Sequence, residues 1–183
     1  MHPRARATVE DLYRVPDSGK AELIDGEIVT VSPTGGIPGR AGGRIYRSLD
    51  DYERAGRDGY AFPGNVGFVV DLPNRGSFSP DAAFHTGPLQ GGKFMEGAPV
   101  FAAEVRSEGD YGPRAEQALE EKRADYFAAG AGVVWDVDVL RERVVRVYRA
   151  EDPETPTVYG SGDVAEAEPA LPGWKMPVDD LLP

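Results

Sequence analysis

Val100-Phe101-Ala102-Ala103-Glu104-Val105-Arg106 is the stretch on which the fold turns. Its apolar residues recur at every second position, the period of a strand whose side chains point to alternate faces. Phe101, Ala103 and Val105 then share one face, while Glu104 and Arg106 point together from the other. Downstream, Pro113 suits the first turn of a helix and Gly130 the position just past its end, so 113–129 reads as a helix of ordinary length. Val133 to Val137 and Arg143 to Tyr148 follow as strands around a charged turn, a C-terminal hairpin. Upstream, Ser79-Pro80-Asp81-Ala82-Ala83-Phe84 reads as another strand. The connection from Asp81 to Glu104 leaves room for the two strands to lie side by side and antiparallel. Pro80 removes a backbone donor, which places Asp81 at the beginning of its strand or on a sheet edge.

Further out, Thr8 to Leu12 is expected to form a short helix, with Thr8 as N-cap and Asp11 in the reciprocal position three residues on. Ala21 to Val31 reads as an N-terminal hairpin around Asp25-Gly26, a dipeptide suited to the positive φ values of a type I′ turn, with Glu22 near the open end. Ser32 to Gly39 is a Pro/Gly loop. A helix is expected from there to about Ala55, because Ile45, Leu49 and Tyr52 recur at helical spacing. Arg40, Arg44 and Arg47 share another face, which reads as solvated because Asp50, Asp51, Glu53 and Asp58 lie nearby. Val66 to Asp71 is a short strand, Pro73-Asn74-Arg75-Gly76 a turn, and 87–99 a loop. From Glu151 the tail is Pro-rich and acidic, and it is expected to pack through Leu171, Trp174 and Met176 rather than form a second domain. Residues 1–183 then make one domain with a core over about 9–178, free of internal repeats and low-complexity tracts.

Composition narrows the chemistry. The chain is 40% hydrophobic and 28% charged, ordinary for a folded α/β domain. Its longest apolar stretch, Phe127 to Trp135, is broken by two glycines and is far short of a membrane span. The start is basic at Arg4 and Arg6, but Thr8 to Asp17 has acids and polar groups where a leader would be apolar, so a cytoplasmic protein is expected. Zero cysteines exclude disulfides and thiolate ligands, and two histidines argue against an imidazole-built centre, so a metal must rest on oxygen. The net charge of −11 is the reverse of a basic nucleic-acid footprint, although a compact site with a bound ion sets its own local potential.

Asp81 and Glu104, carboxylates from separate strands, are the hard oxygen donors that a magnesium ion takes while leaving positions for water and phosphate. Only four of the 20 basic residues are lysines, at 20, 93, 122 and 175. Lys20, Lys93 and Lys175 look like surface residues. Lys122 instead shares a helix stripe with Ala118, Leu119, Tyr126 and Ala129, so that its ammonium leaves from the inward face. There it either pairs with Asp81 and Glu104 or runs along the core edge to solvent. Arg106 shares the face of Glu104 and could clamp phosphate or neutralise the acid, but its guanidinium cannot serve as a base. His85 has the parity of Asp81 and could face the same site, or lie on the surface.

The ordered set Glu22-Leu23-Ile24-Asp25-Gly26-Glu27, Ser79-Pro80-Asp81, Glu104-Val105-Arg106-Ser107, Lys122 with Tyr126 and Gly130, Val134-Trp135-Asp136-Val137-Asp138 and Leu171-Pro172-Gly173-Trp174 resembles the bacterial Uma family. These are restriction endonuclease-like proteins of the PD-(D/E)XK nuclease superfamily, and the resemblance covers roughly 9–178. It implies an α/β (α+β) fold, a mixed sheet flanked by helices, with Asp81 and Glu104 as ligands of Mg2+ or Mn2+. It also implies that the superfamily's lysine, two residues after the Glu, is replaced here by Arg106, and that Lys122 fills the equivalent space from the helix. Glu22 matches the acid of the family's first hairpin, an outer or additional ligand. DNA as substrate and a homodimer or larger oligomer follow from the same resemblance. The rival expectation is a non-catalytic binding or regulatory module in which Asp81, Glu104, Arg106 and Lys122 form an ion-pair network.

Overall fold

The computed structural model describes residues 6–15 and 20–183, so the basic start at Arg4 and the acid Asp17 lie outside the described residues. In chain order the elements are α1 (Val9–Leu12), β1 (Lys20–Ile24), β2 (Glu27–Val31), α2 (Gly36–Arg54), β3 (Tyr60–Pro63), β4 (Phe68–Val69), β5 (Ser77–Phe78), β6 (Ala82–His85), β7 (Met95–Glu96), β8 (Phe101–Val105), α3 (Pro113–Ala128), β9 (Val133–Asp138), β10 (Val144–Arg149), β11 (Asp152–Tyr159), β12 (Val164–Glu166) and β13 (Lys175–Pro177).

A mixed six-stranded sheet runs β11-β10-β9-β8-β6-β3. β8 and β9 are parallel, joined through α3, and the other neighbours are antiparallel. The alternation read in 100–106 divides the molecule. Phe101, Ala103 and Val105 face a core shared with Ile45 and Leu49 of α2 and with Leu171, Trp174 and Met176 of the tail. Ala102, Ala83 and Val134 face Tyr126 of α3, together with Phe68 and Phe78. The four alanines 82, 83, 102 and 103 keep the two central strands low on both faces, so helices approach closely. At Gly42 of α2 an added Cβ would lie 3.5 Å from the Asp81 Cβ.

The first hairpin turns through Asp25 and Gly26 at φ 51° and 75°, as its dipeptide predicts. Thr8 caps α1 in a reciprocal box with Asp11. Gly130, at φ 101°, follows α3. Several elements differ from the sequence expectation. α2 begins at Gly36, inside the predicted loop, because Pro38 occupies a first-turn position that needs no donor. Of the strand read over 79–84 only the part from Ala82 is strand, in β6, with β5 ending just before it, and the segments 87–99 and 66–71 contribute only two-residue strands. β3 and β11, the two sheet edges, were not foreseen. Arg44 is not idle on its helix face: it donates to the Leu182 carbonyl at 3.1 Å and holds the C-terminal segment down.

Candidate active site

Antiparallel register places Ala82 opposite Ala103 and Ala83 opposite Ala102. Continued by one residue, it sets Asp81 opposite Glu104. Directly opposed residues carry their Cβ atoms about 4.5–5.5 Å apart. The pairing is pinned at the backbone: Asp81 N–H donates to the Ala103 carbonyl at 3.0 Å and Val105 N–H donates to Asp81 Oδ2 at 2.8 Å. Asp81 thus sits where β6 begins, just after Pro80, as the proline requires. The row continues across the sheet, because Glu104 is beside Asp136 on β9, and Asp136 is opposite Arg146 on β10.

α3 lays a cation over this row. Lys122 Nζ lies 2.9 Å from Glu104 Oε1 and 3.0 Å from Glu22 Oε1. Of the two readings of Lys122, the pairing one therefore holds, with Glu104 but through Glu22 rather than Asp81. Tyr126, one turn further on, donates its hydroxyl to Glu104 Oε1 at 2.6 Å. Its ring stacks on Phe78 with centroids 4.0 Å apart, which fixes the direction of the phenol.

Glu22 is 4% exposed and fully engaged. Its Oε1 accepts from Ser79 N–H at 2.9 Å as well as from Lys122, and Oε2 accepts from Arg75 at 2.9 Å. Arg75 also donates to Asp125 of α3 at 2.7 Å. Glu22 therefore acts as the anchor of Lys122, with both oxygens committed. Burial opposes its charge, but Lys122 and Arg75 outweigh burial and hold the carboxyl below the usual range. Burial pushes Glu104 the other way, above the usual range, assisted by Asp81 and Glu22 and resisted by Lys122 and Lys20. Burial also disfavours the Lys122 ammonium, yet Glu104 and Glu22 prevail and keep it charged.

Three expectations need correcting. Lys20 is not a surface residue: it lies 3.0 Å from Asp81 Oδ1, because it sits two positions before Glu22 and strand periodicity turns both to the same side. Arg106 does not neutralise Glu104. Its fork is bidentate on Asp136, at 2.7 Å to each oxygen, and it also reaches Glu116 of α3, so it bolts β8, β9 and α3 together. His85 is buried against Phe68 at the far end of β6. Lys93 and Lys175 are exposed as expected. The sequence places Tyr126 in an apolar stripe and Arg75 in a turn, since nothing local marks their reach to acids that are distant in sequence.

Lys20, Asp81, Glu104 and Lys122 line one cavity of about 840 Å³, walled by Val29 and Val31 of the hairpin and by Ala115, Ala118 and Leu119 of α3. A family described as "Putative restriction endonuclease", Uma2, matches residues 8–179. The chain belongs to the Uma2 family. A crystal structure of a "putative nuclease belonging to DUF820" from Anabaena variabilis ATCC 29413 superposes with a TM-score of 0.74 at 17% identity, over 95% of this chain and 96% of that one. The likeness to that structure is one of fold. No curated protein matches the chain. The mixed sheet and its helices are thus shared with that structure, and the family to which the chain belongs is the one described as "Putative restriction endonuclease". Among the described residues, no helix is long and apolar enough to cross a membrane.

A divalent ion suits the oxygen donors present. Among the described residues no three of His, Cys, Asp and Glu gather as a cage. Two carboxylates from adjoining strands remain, the number with which Mg2+ commonly works while keeping several waters.

Proposed function

We propose that this Uma2 chain is a Mg2+- or Mn2+-dependent endonuclease that hydrolyses phosphodiester bonds in DNA, with Asp81 and Glu104 as metal ligands and Lys122 beside them. One observation carries the reading: Asp81, just before β6 and bonded through its carboxylate to Val105 N–H, stands beside Glu104 on the neighbouring β8, with a half-buried ammonium 2.9 Å from Glu104, at a cavity wall. A divalent ion held there would polarise a phosphoryl oxygen and acidify water. Lys122, held between Glu104 and Glu22, would orient that water or stabilise the negative charge that develops on phosphate. Glu22 keeps Lys122 in place, and Tyr126 orients Glu104 by binding one of its oxygens. The reading takes 1–183 as one domain, cytoplasmic, acting as a homodimer or larger assembly on DNA, in line with the family resemblance.

The rival is a non-catalytic binding or regulatory module, favoured by the fact that Asp81 and Glu104 each already have a lysine partner. Calorimetric titration separates the two. Binding of Mn2+ that Asp81→Ala and Glu104→Ala abolish supports the enzyme, and absence of binding in the wild type ends that reading. Nicking of supercoiled plasmid with Mn2+ should be lost in Glu104→Ala and Lys122→Ala. Equal nicking in all three proteins would identify a contaminant.

A further inference from the structure

Lys20 opens β1, and its described ties are the ladder position opposite Val31 and the ion pair with Asp81. The rest of the strand is sewn to the body. Leu23 N–H donates to Ser77 Oγ at 2.8 Å, Gly76 N–H to the Leu23 carbonyl at 2.8 Å, and Asp25 N–H to the Asn74 carbonyl at 2.8 Å. Lys20 thus stands at the open end of a hairpin strand whose later residues are anchored to the body.

The oxygens of the two acids are used unequally. Asp81 Oδ2 is taken by Val105 N–H, which leaves Oδ1 to Lys20 at 3.0 Å. Glu104 Oε1 takes both Lys122 and Tyr126, and Oε2 has no partner among the described residues. The atoms open to a cation are Asp81 Oδ1 and Glu104 Oε2, and the Lys20 ammonium sits on the first.

We infer that Lys20 is an exchangeable internal counter-ion at Asp81, which a divalent cation must displace, so that metal affinity is set by this lysine as well as by the acids. The inference rests on Asp81 being a metal ligand. A divalent ion brings twice the charge of an ammonium and serves Glu104 as well, and the released lysine regains water at little cost because its stem is long and mobile. Lys122 behaves differently, since leaving Glu104 would also disturb Glu22, whose charge is buried.

Two measurements on the full chain test this. Amine acetylation followed by peptide mass spectrometry should show Lys20 becoming several-fold more reactive when Mg2+ is added, while Lys122 keeps its protection. Titration with Mn2+ should find Lys20→Met binding roughly 3- to 10-fold tighter than wild type, the scale of one hydrogen bond's net contribution, and Lys20→Arg no tighter. In an Asp81→Asn background, Lys20→Met should change nothing. Wild-type binding that Lys20→Met leaves unaltered, with constant labelling of Lys20, would overturn the inference and leave the metal reading intact. No binding by either protein would overturn both.

Discussion

Glu22 and Glu104 share one lysine and are driven in opposite directions, which makes them separable in solution. Glu22, held low by Lys122 and Arg75 against burial, is charged more readily in the folded chain than in the unfolded one. Such a carboxyl adds stability above its unfolded value, about 4.3, and loses it as pH falls through the folded value. Unfolding free energy from urea titrations is therefore expected to decline from about pH 4.3 downward, and Glu22→Gln should flatten that slope. Glu104 is raised, chiefly by burial, so its charged form costs stability above its folded value, and protonation relieves that cost as pH falls. At pH 7 the two substitutions should therefore differ in cost. Glu22→Gln takes a buried carboxylate from both Arg75 and Lys122, leaving them only Asp125 and Glu104, and is expected to lose about 3 kcal/mol, as one-sided removal from a buried pair does. Glu104→Gln should lose about 1 kcal/mol or less. A reversed order would contradict the assignment of Glu22 as anchor. Tyr126→Phe removes a buried hydroxyl from Glu104, with an expected loss of about 1–2 kcal/mol and weaker Mn2+ binding by calorimetry. These roles were only partly legible in the residues. The inward stripe pointed to Lys122, but the identity of its second partner, a hundred positions earlier, had no local signature.

Between elements, Arg106 does the joining. It lies two residues after Glu104, and its planar fork spans Asp136 on β9 and Glu116 on α3. An ammonium cannot reproduce a bidentate contact, so Arg106→Lys is expected to destabilise the chain by about 2–4 kcal/mol in urea titrations while Mn2+ binding persists. Loss of metal binding in a fully folded variant would instead place Arg106 in the site. The first hairpin offers a second check. Gly26 adopts φ 75°, and an added Cβ would lie 2.8 Å from Arg6 Cγ. Gly26→Ala should cost about 1–2 kcal/mol and lower the melting temperature accordingly. The hairpin, α1, α3 and β8 were legible because each carries a local signature: a type I′ dipeptide, a capping box, Pro and Gly at the two ends, a period of two. β11 was hidden by Pro153 and Pro156, which an edge strand tolerates and a central one does not. β3 is four residues long and also ends in proline, too short for its alternation to register.

At the scale of the molecule, the C-terminal segment is part of the main core. Leu171, Trp174, Met176, Val178, Leu181 and Leu182 are all buried, and Trp174 packs its ring against Trp135 at 4.9 Å and against Phe101 at 5.2 Å. At about 1.5–3 kcal/mol for each buried large side chain, their joint removal rivals the whole stability of a domain, about 5–15 kcal/mol. Truncation after Ala170 is therefore expected to abolish cooperative thermal unfolding by circular dichroism. A truncated chain with a wild-type melt would show that the tail is merely draped on the surface.

The sequence by itself determined the α/β alternation and the two hairpins, because strand and helix periods and turn dipeptides act within a few residues, and it left room for Asp81 and Glu104 on neighbouring strands and for a packed tail. It also pointed to the family, through the order of its segments. Only the tertiary structure decided how the charges pair. It moved Lys20 from the surface to Asp81, gave Lys122 to Glu22 as well as Glu104, and turned Arg106 away from Glu104 into a bolt across three elements. Charge partners are chosen by distance in space, through the low-dielectric contacts that folding creates, and that distance has no period along the chain.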